Sequence, residues 1–279
     1  MKNRTSISFT NQLSALAAAG CLSAIAATSA SAAITIFEDD FEDTSAFVAG
    51  DTDATKQTNL NSGVATGSWS VTNGNNANIG TDSSNKALVI RDNNFDITST
   101  FSQAGVVGAN ATTIRFDFAI VRENGDKRTS FIGLQGATSL FSVDVIAPGN
   151  AGTPATGGQG GVQVTTDSTT ALIEYNQGGI SPGNFVNSHL HSMTITLSAT
   201  SFDVWVDIDG NDAVDTGELL ASLAYTNNPT TGITGMQILE NGAPTNIGVA
   251  FDNYLVTTIP EPSTALLGGL GLLALLRRR

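Results

Sequence analysis

The stretch Thr112-Thr-Ile-Arg-Phe-Asp-Phe-Ala-Ile-Val121 alternates in character: Ile114, Phe116, Phe118 and Ile120 fall on one side, Arg115 and Asp117 on the other. Period 2 marks a half-buried β-strand, because successive side chains of an extended chain point to opposite faces. The alternation returns at Ser192–Ser198, where Met193, Ile195 and Leu197 oppose Thr194 and Thr196. It returns again where Phe202, Val204, Val206 and Ile208 alternate with Asp203, Trp205 and Asp207. Shorter candidates lie at 34–37, 68–72, 87–91, 96–101, 130–134, 140–146, 161–165, 171–175, 219–225, 235–239 and 248–257. Clusters of Gly, Asn, Asp, Ser and Pro separate them, the residues that turns favour. About fourteen short strands and no convincing amphipathic helix predict an all-β chain, a single two-sheet antiparallel jelly-roll sandwich. Trp69 alternates with Val71 and reads as core. The Gly-rich stretch 148–161 reads as a surface loop and not a domain linker, which leaves one domain over residues 33–258.

The 279 residues carry 12 Lys plus Arg against 25 Asp plus Glu. Residues 33–259 hold 7 of those bases and 24 of the acids, a net −17. Such a surface repels phosphate, so nucleic acid is not an expected partner and anionic lipid is disfavoured. Divalent cations and neutral ligands suit it.

Both ends read as addresses. Met1–Arg4 is basic, 13–27 is mostly Ala and Leu, and Ala30-Ser31-Ala32 offers small residues to a signal peptidase. We therefore read 1–32 as a signal peptide cut after Ala32. Cys21 is the chain's one cysteine and leaves with that segment, so no disulfide and no thiol nucleophile are expected in the mature chain. At the other end, Pro260-Glu261-Pro262 precedes the apolar run 264–276 and then Arg277, Arg278 and Arg279. As a helix that 13-residue run spans about 20 Å, short of the roughly 30 Å hydrocarbon core, so its membrane contact would be transient.

Residues 259–279 resemble the PEP-CTERM sorting signal of Gram-negative bacteria. The resemblance implies that an exosortase, a membrane cysteine transpeptidase, recognises Pro260, Glu261 and Pro262 during export. It also implies delivery to the cell surface or the extracellular polymeric matrix, in company with exopolysaccharide. The opening Phe37-Glu-Asp-Asp-Phe41 and the closing Phe251-Asp-Asn-Tyr-Leu-Val256 resemble the first and last strands of LamG-like, concanavalin-type jelly rolls. That resemblance implies neighbouring terminal strands, with Asp39, Asp40 and Asp252 either ligands of a structural calcium or solvated strand-end acids.

The sharpest chemical pattern is Asp207-Ile-Asp-Gly-Asn-Asp-Ala-Val-Asp-Thr-Gly-Glu218. Asp207, Asp209, Asn211, Asp215 and Glu218 supply side-chain oxygens at loop positions 1, 3, 5, 9 and 12, and Ala213 a carbonyl at position 7. Oxygens so spaced let a loop wrap a hard cation, and the spacing resembles EF-hand-like and thrombospondin type 3 calcium loops. Asp212 stands where those loops place glycine. The alternative is a polar hairpin that binds nothing. Trp205, beside Asp203 and Asp207, is either a sugar-stacking platform or packed on a neighbouring strand. His189 and His191 read as ordinary surface histidines. No Glu-x-Asp-x-x-Glu run, phosphate loop or His-Glu-x-x-His occurs. The expectation is a noncatalytic glycan-binding or matrix-structural module; the alternative is a polysaccharide hydrolase or lyase with carboxylates on separate strands.

Overall fold

The structure is a computed structural model that describes residues 32–74, 77–82, 85–91, 95–105, 111–122, 128–146, 161–166, 170–174, 191–207, 217–225, 227–241 and 248–259. The chain divides into two compact units, one of Ala33–Ile259 and one of the two ends, and every element below belongs to the first. In chain order these are β1 (Ile34–Asp39), α1 (Asp53–Gly63), β2 (Ser68–Asn73), β3 (Asn78–Asp82), β4 (Asn85–Arg91), β5 (Asp96–Gly105), β6 (Thr112–Arg122) and β7 (Arg128–Gln135). There follow β8 (Thr138–Ile146), β9 (Gly161–Thr165), β10 (Thr170–Glu174), β11 (His191–Leu197), β12 (Ser201–Val206), β13 (Leu219–Ala224), β14 (Ile233–Asn241) and β15 (Gly248–Thr258).

The strands form two antiparallel sheets. One runs β13-β12-β11-β6-β15-β4-β3, with β1 also paired to β15, and the other runs β10-β9-β8-β7-β14-β5-β2. This is the expected β-sandwich. Alternation decides which side chains go inside: along β12, Phe202, Val204 and Val206 are buried while Asp203 and Trp205 are half-buried. The interior joins the sheets through stacked rings, Phe116 on Phe131 at 4.5 Å and Phe141 on Phe202 at 4.6 Å. Gly133 stands opposite Phe141, whose ring fills the space where a Cβ would lie.

Two elements depart from the sequence expectation. The strand β3 lies in a Gly- and Asn-rich region without clear alternation. The helix α1, sequence DATKQTNLNSG, has one large apolar residue and so gives no amphipathic signal. It forms because Thr52 caps it, its Oγ1 accepting from Thr55 N at 3.2 Å, with Asp53 favourably placed in the first turn. It docks through Leu60 and through Lys56, whose buried ammonium donates to the carbonyls of Ala49 and Gly74.

The register fixes what lies at each end of the sandwich. Thr258 pairs with Ile34 on one side and with Thr112 on the other, and Thr112 pairs with Leu197, so the start of β1 and the end of β15 meet at one end of the sandwich. Gly248 pairs with Arg122 and with Arg91 at the opposite end. Asp207, where β12 gives way to the acidic loop, lies toward that far end, its N–H donating to Ser192 O at 2.9 Å.

Candidate functional site

The acids of the terminal strands are buried and individually tied. Asp39 Oδ2 accepts from Trp69 Nε1 at 2.6 Å, and its Oδ1 accepts from Phe41 N at 2.9 Å. These bonds hold Phe41 at φ +58°, a left-handed conformation rare for an aromatic residue. Burial pushes the Asp39 carboxyl up to about 6, against the opposing pull of those two hydrogen bonds. Asp252 accepts from Asn85 Nδ2 at 2.7 Å and from Asn253 N at 2.8 Å. Burial likewise pushes it up to about 6, assisted by the charges of Asp117 and Glu42. Asp117 accepts from the Ser192 hydroxyl and from Asn253 Nδ2 at 2.7 Å. Asp40 is exposed and accepts from Glu42 N at 3.1 Å. The three proposed ligands Asp39, Asp40 and Asp252 are thus engaged with separate partners, and Asp39 and Asp252 are not solvated. Among the described residues, no group of three or more His, Cys, Asp or Glu is placed to hold a metal.

Of the 207–218 loop, the structure describes the two ends. Val206 N donates to Glu218 O at 3.1 Å, which closes the base of the loop. Asp207 and Glu218 are both buried there, 5% and 6% exposed, and Gly217 takes φ +110°, a conformation that glycine tolerates. Positions 1 and 12 of the calcium pattern therefore lie at the base of the loop, where β12 and β13 pair. Asp209, Asn211, Ala213 and Asp215 lie outside the described residues.

Trp205 is half-buried on the outer face of the eight-stranded sheet, between Thr194 of β11 and Leu219 of β13. His191 corrects the surface reading. It is 6% exposed, its ring lies 6.0 Å from that of Phe118, and its Nδ1 sits 3.3 Å from the Asp207 carbonyl oxygen. The reason is register: His191 pairs with Phe118, whose side chain the sandwich buries. His189 lies outside the described residues.

The sequence reading passed over the outer face of the seven-stranded sheet. One cross-strand row there reads Ser70, Thr98, Gln237, Ile132, Ser142 and Thr165. The next reads Asp96, Leu239, Ser130, Asp144 and Gln163. Gln237 Nε2 donates to Asp96 Oδ1 at 2.8 Å, and Ser142 Oγ to Asp144 Oδ1 at 2.8 Å. Ser130, Asp144 and Gln163 are buried although they point away from the core. The signal was present, since these are the polar positions of strands whose partners face inward, but hydroxyls and amides spread over separate strands spell no motif. Asp96 and Asp144 stand three strands apart, about 14 Å at 4.8 Å per strand.

A second omission is Gly179-Ile-Ser181-Pro-Gly183, which has the letters of a Gly-x-Ser-x-Gly nucleophile elbow. In such an elbow the residue after the serine gives its N–H to the oxyanion hole, and Pro182 has none. The segment lies outside the described residues.

The geometry defines an antiparallel β-sandwich whose last strand runs directly into the tail. Residues 258–279 match the family profile of the PEP-CTERM protein-sorting motif. The chain therefore carries an exosortase sorting signal and is an exported protein processed at the membrane. No curated protein matches it in sequence. Among solved structures it is similar to a candidate β-glucanase from Mycobacterium abscessus, with 15% identity over 62% of this chain and 76% of that one, at a TM-score of 0.40. It is also similar to the binding domain of botulinum neurotoxin DC in complex with SialylT, with 10% identity over 84% and 49% of the two chains, at a TM-score of 0.46. The serotype G binding domain gives 13% identity over 76% and 49%, at a TM-score of 0.44. The chain spans about half the length of the neurotoxin domains it matches.

Proposed function

We propose that the chain is a noncatalytic module of the cell surface or extracellular matrix of a Gram-negative bacterium, a β-sandwich that binds polysaccharide or builds the matrix. The observation that carries this reading is the union of a sorting signal with a sandwich whose seven-stranded sheet carries half-buried polar side chains, Asp96, Thr98, Ser142 and Gln237, on its outer face. Sugars are bound by planar amides and carboxylates that take paired hydrogen bonds from vicinal hydroxyls, and Gln237 and Asp96, half-buried on this face, are groups of that kind. Glycoside hydrolysis needs two carboxyls within about 5 to 9.5 Å, and the separation of Asp96 from Asp144 is larger. On this face, that supports binding over hydrolysis.

In this reading calcium occupies the 207–218 loop, held by Asp207, Asp209, Asn211, the Ala213 carbonyl, Asp215 and Glu218. Asp207 and Glu218, the first and last oxygen ligands of the pattern, are both buried where the loop leaves β12 and enters β13, and a buried carboxylate gains from a divalent cation beside it. The ion would brace the hairpin that carries Trp205.

Affinity electrophoresis of residues 33–259 through gels containing the producer's exopolysaccharide, with calcium and with chelator, tests the binding half. Retardation supports glycan binding, and unchanged migration in every gel leaves a structural matrix component. For the ion, the melting temperature should rise with calcium, by about 2.7 kcal/mol of stability at a hundredfold excess over Kd, and Asp207→Ala should abolish the rise. No shift in the wild-type domain would remove calcium from the reading.

A further inference from the structure

The sorting motif begins without a spacer. Thr258, the last residue of β15, pairs with Ile34 of β1 and with Thr112 of β6, and its hydroxyl shares a 2.8 Å hydrogen bond with that of Thr112. Ile259 N still donates to Ala111 O at 2.6 Å, and Pro260 is the next residue. β15 is therefore paired on both sides up to Thr258, two residues before Pro260. Enzymes that cut peptides grip an extended substrate through its backbone N–H and C=O groups. Upstream of Pro260 those groups are engaged in two ladders. Drawing β15 out would also expose Val256 and Tyr254, both fully buried.

The motif's own chemistry ends the pairing there. Pro260 and Pro262 have no N–H and cannot extend a ladder. At the same end, Ile34 of β1 lies opposite Thr258 of β15, so the first and last strands of the sandwich begin and end side by side.

We propose that the sorting enzyme acts on the sandwich with β15 already seated, gripping residues from Pro260 onward, and joins the mature domain without a spacer by the end where β1 begins and β15 ends. The bond broken is a peptide bond at or C-terminal to Ile259. Its nitrogen leaves, protonated, as the amine of the released tail, and the acyl carbon passes to water or to a primary amine of the acceptor. The inference rests on the sorting reading above.

The test uses the full chain expressed in a host with an exosortase. Thr35 and Thr257 are direct cross-strand partners, and the mature chain has no other cysteine, so Thr35→Cys with Thr257→Cys staples β15 to β1 in an oxidising periplasm. The stapled chain should be processed within about twofold of its reduced form, and mass spectrometry should place the mature C-terminus at residue 259 or beyond. Accumulation of unprocessed stapled chain, relieved by reductant, overturns the proposal, as does a C-terminus upstream of Ile259. A six-residue Gly-Ser insertion between Ile259 and Pro260 is a second arm that leaves the sandwich intact. Its rate should match wild type within about twofold, and a tenfold acceleration shows that free upstream residues were wanted. Wild-type chain left uncut, no better than Glu261→Ala, overturns the sorting reading and this inference with it.

Discussion

The two flanks of the sandwich bury their interiors by different means. Around β1, β2 and β15 the core is a cluster of rings, Phe37, Phe41, Trp69, Phe251 and Tyr254, with Phe37 and Tyr254 centred 4.7 Å apart. Polar handles run through it: Trp69 Nε1 binds Asp39, and the Tyr254 hydroxyl lies 2.9 Å from Ser99 Oγ. Around β8, β9, β11 and β12 the core is mostly aliphatic, with Val143, Val145, Val162, Val164, Met193, Ile195 and Val204 packed about the Phe141–Phe202–Tyr225 stack. Hydrocarbon packing sets no direction, whereas a buried hydrogen bond does. The first flank therefore has its register pinned where the first and last strands must find each other, and it bears the electrostatic cost of buried carboxylates.

Four measurements would break or sharpen that contrast. Trp69→Ala should cost about 3–5 kcal/mol in chemical denaturation, since it opens a cavity and strips Asp39 of a donor, while Ile195→Val in the other flank should cost about 1 kcal/mol. Equal losses would erase the distinction. Next is pH. The carboxyls of Asp39 and Asp252 are raised from 3.8 to about 6, so the folded state holds these protons more tightly than the unfolded chain. Their contribution is full below about pH 4 and is lost as pH rises toward about 6.5, by roughly 3 kcal/mol per group for two pH units. Melting curves of wild type and Asp252→Asn across pH 4 to 7.5 should converge at low pH and separate at neutral pH in favour of the variant. Ile195→Val should shift the midpoint equally throughout. A pH-independent difference for Asp252→Asn would contradict the buried-acid account.

Gly133→Ala drives a methyl group into the Phe141 ring in the aliphatic flank and should cost about 1–3 kcal/mol. The smallest effect belongs to Thr52→Ala, which uncaps α1 and should cost about 1 kcal/mol without moving the pH profile.

The strands were legible because their signal is local. The reading at 112–121 matches β6 to within one residue, and Trp69 is in the core as read. Helix α1 was not legible, since it has no apolar stripe and its docking rests on a lysine buried against the carbonyls of Ala49 and Gly74, outside the helix. The site was legible in its letters and not in its environment. Asp39 looks like a surface acid among charged neighbours and Asp252 like a strand-end acid, and only the approach of Trp69 to the first and Asn85 to the second shows them as buried groups.

From the sequence alone came the all-β class, the acidic exported character, the sorting tail and the acidic loop, because each depends on residue type at short spacing. The tertiary structure decided how the strands divide between two sheets, which polar face is partly enclosed, and that Ile34 meets Thr258 across more than two hundred residues. Period 2 tells a strand which side chains share a face. It does not say which strand will lie alongside, because every strand offers the same backbone donors and acceptors, and the choice falls to the packing of side chains that are distant in the chain.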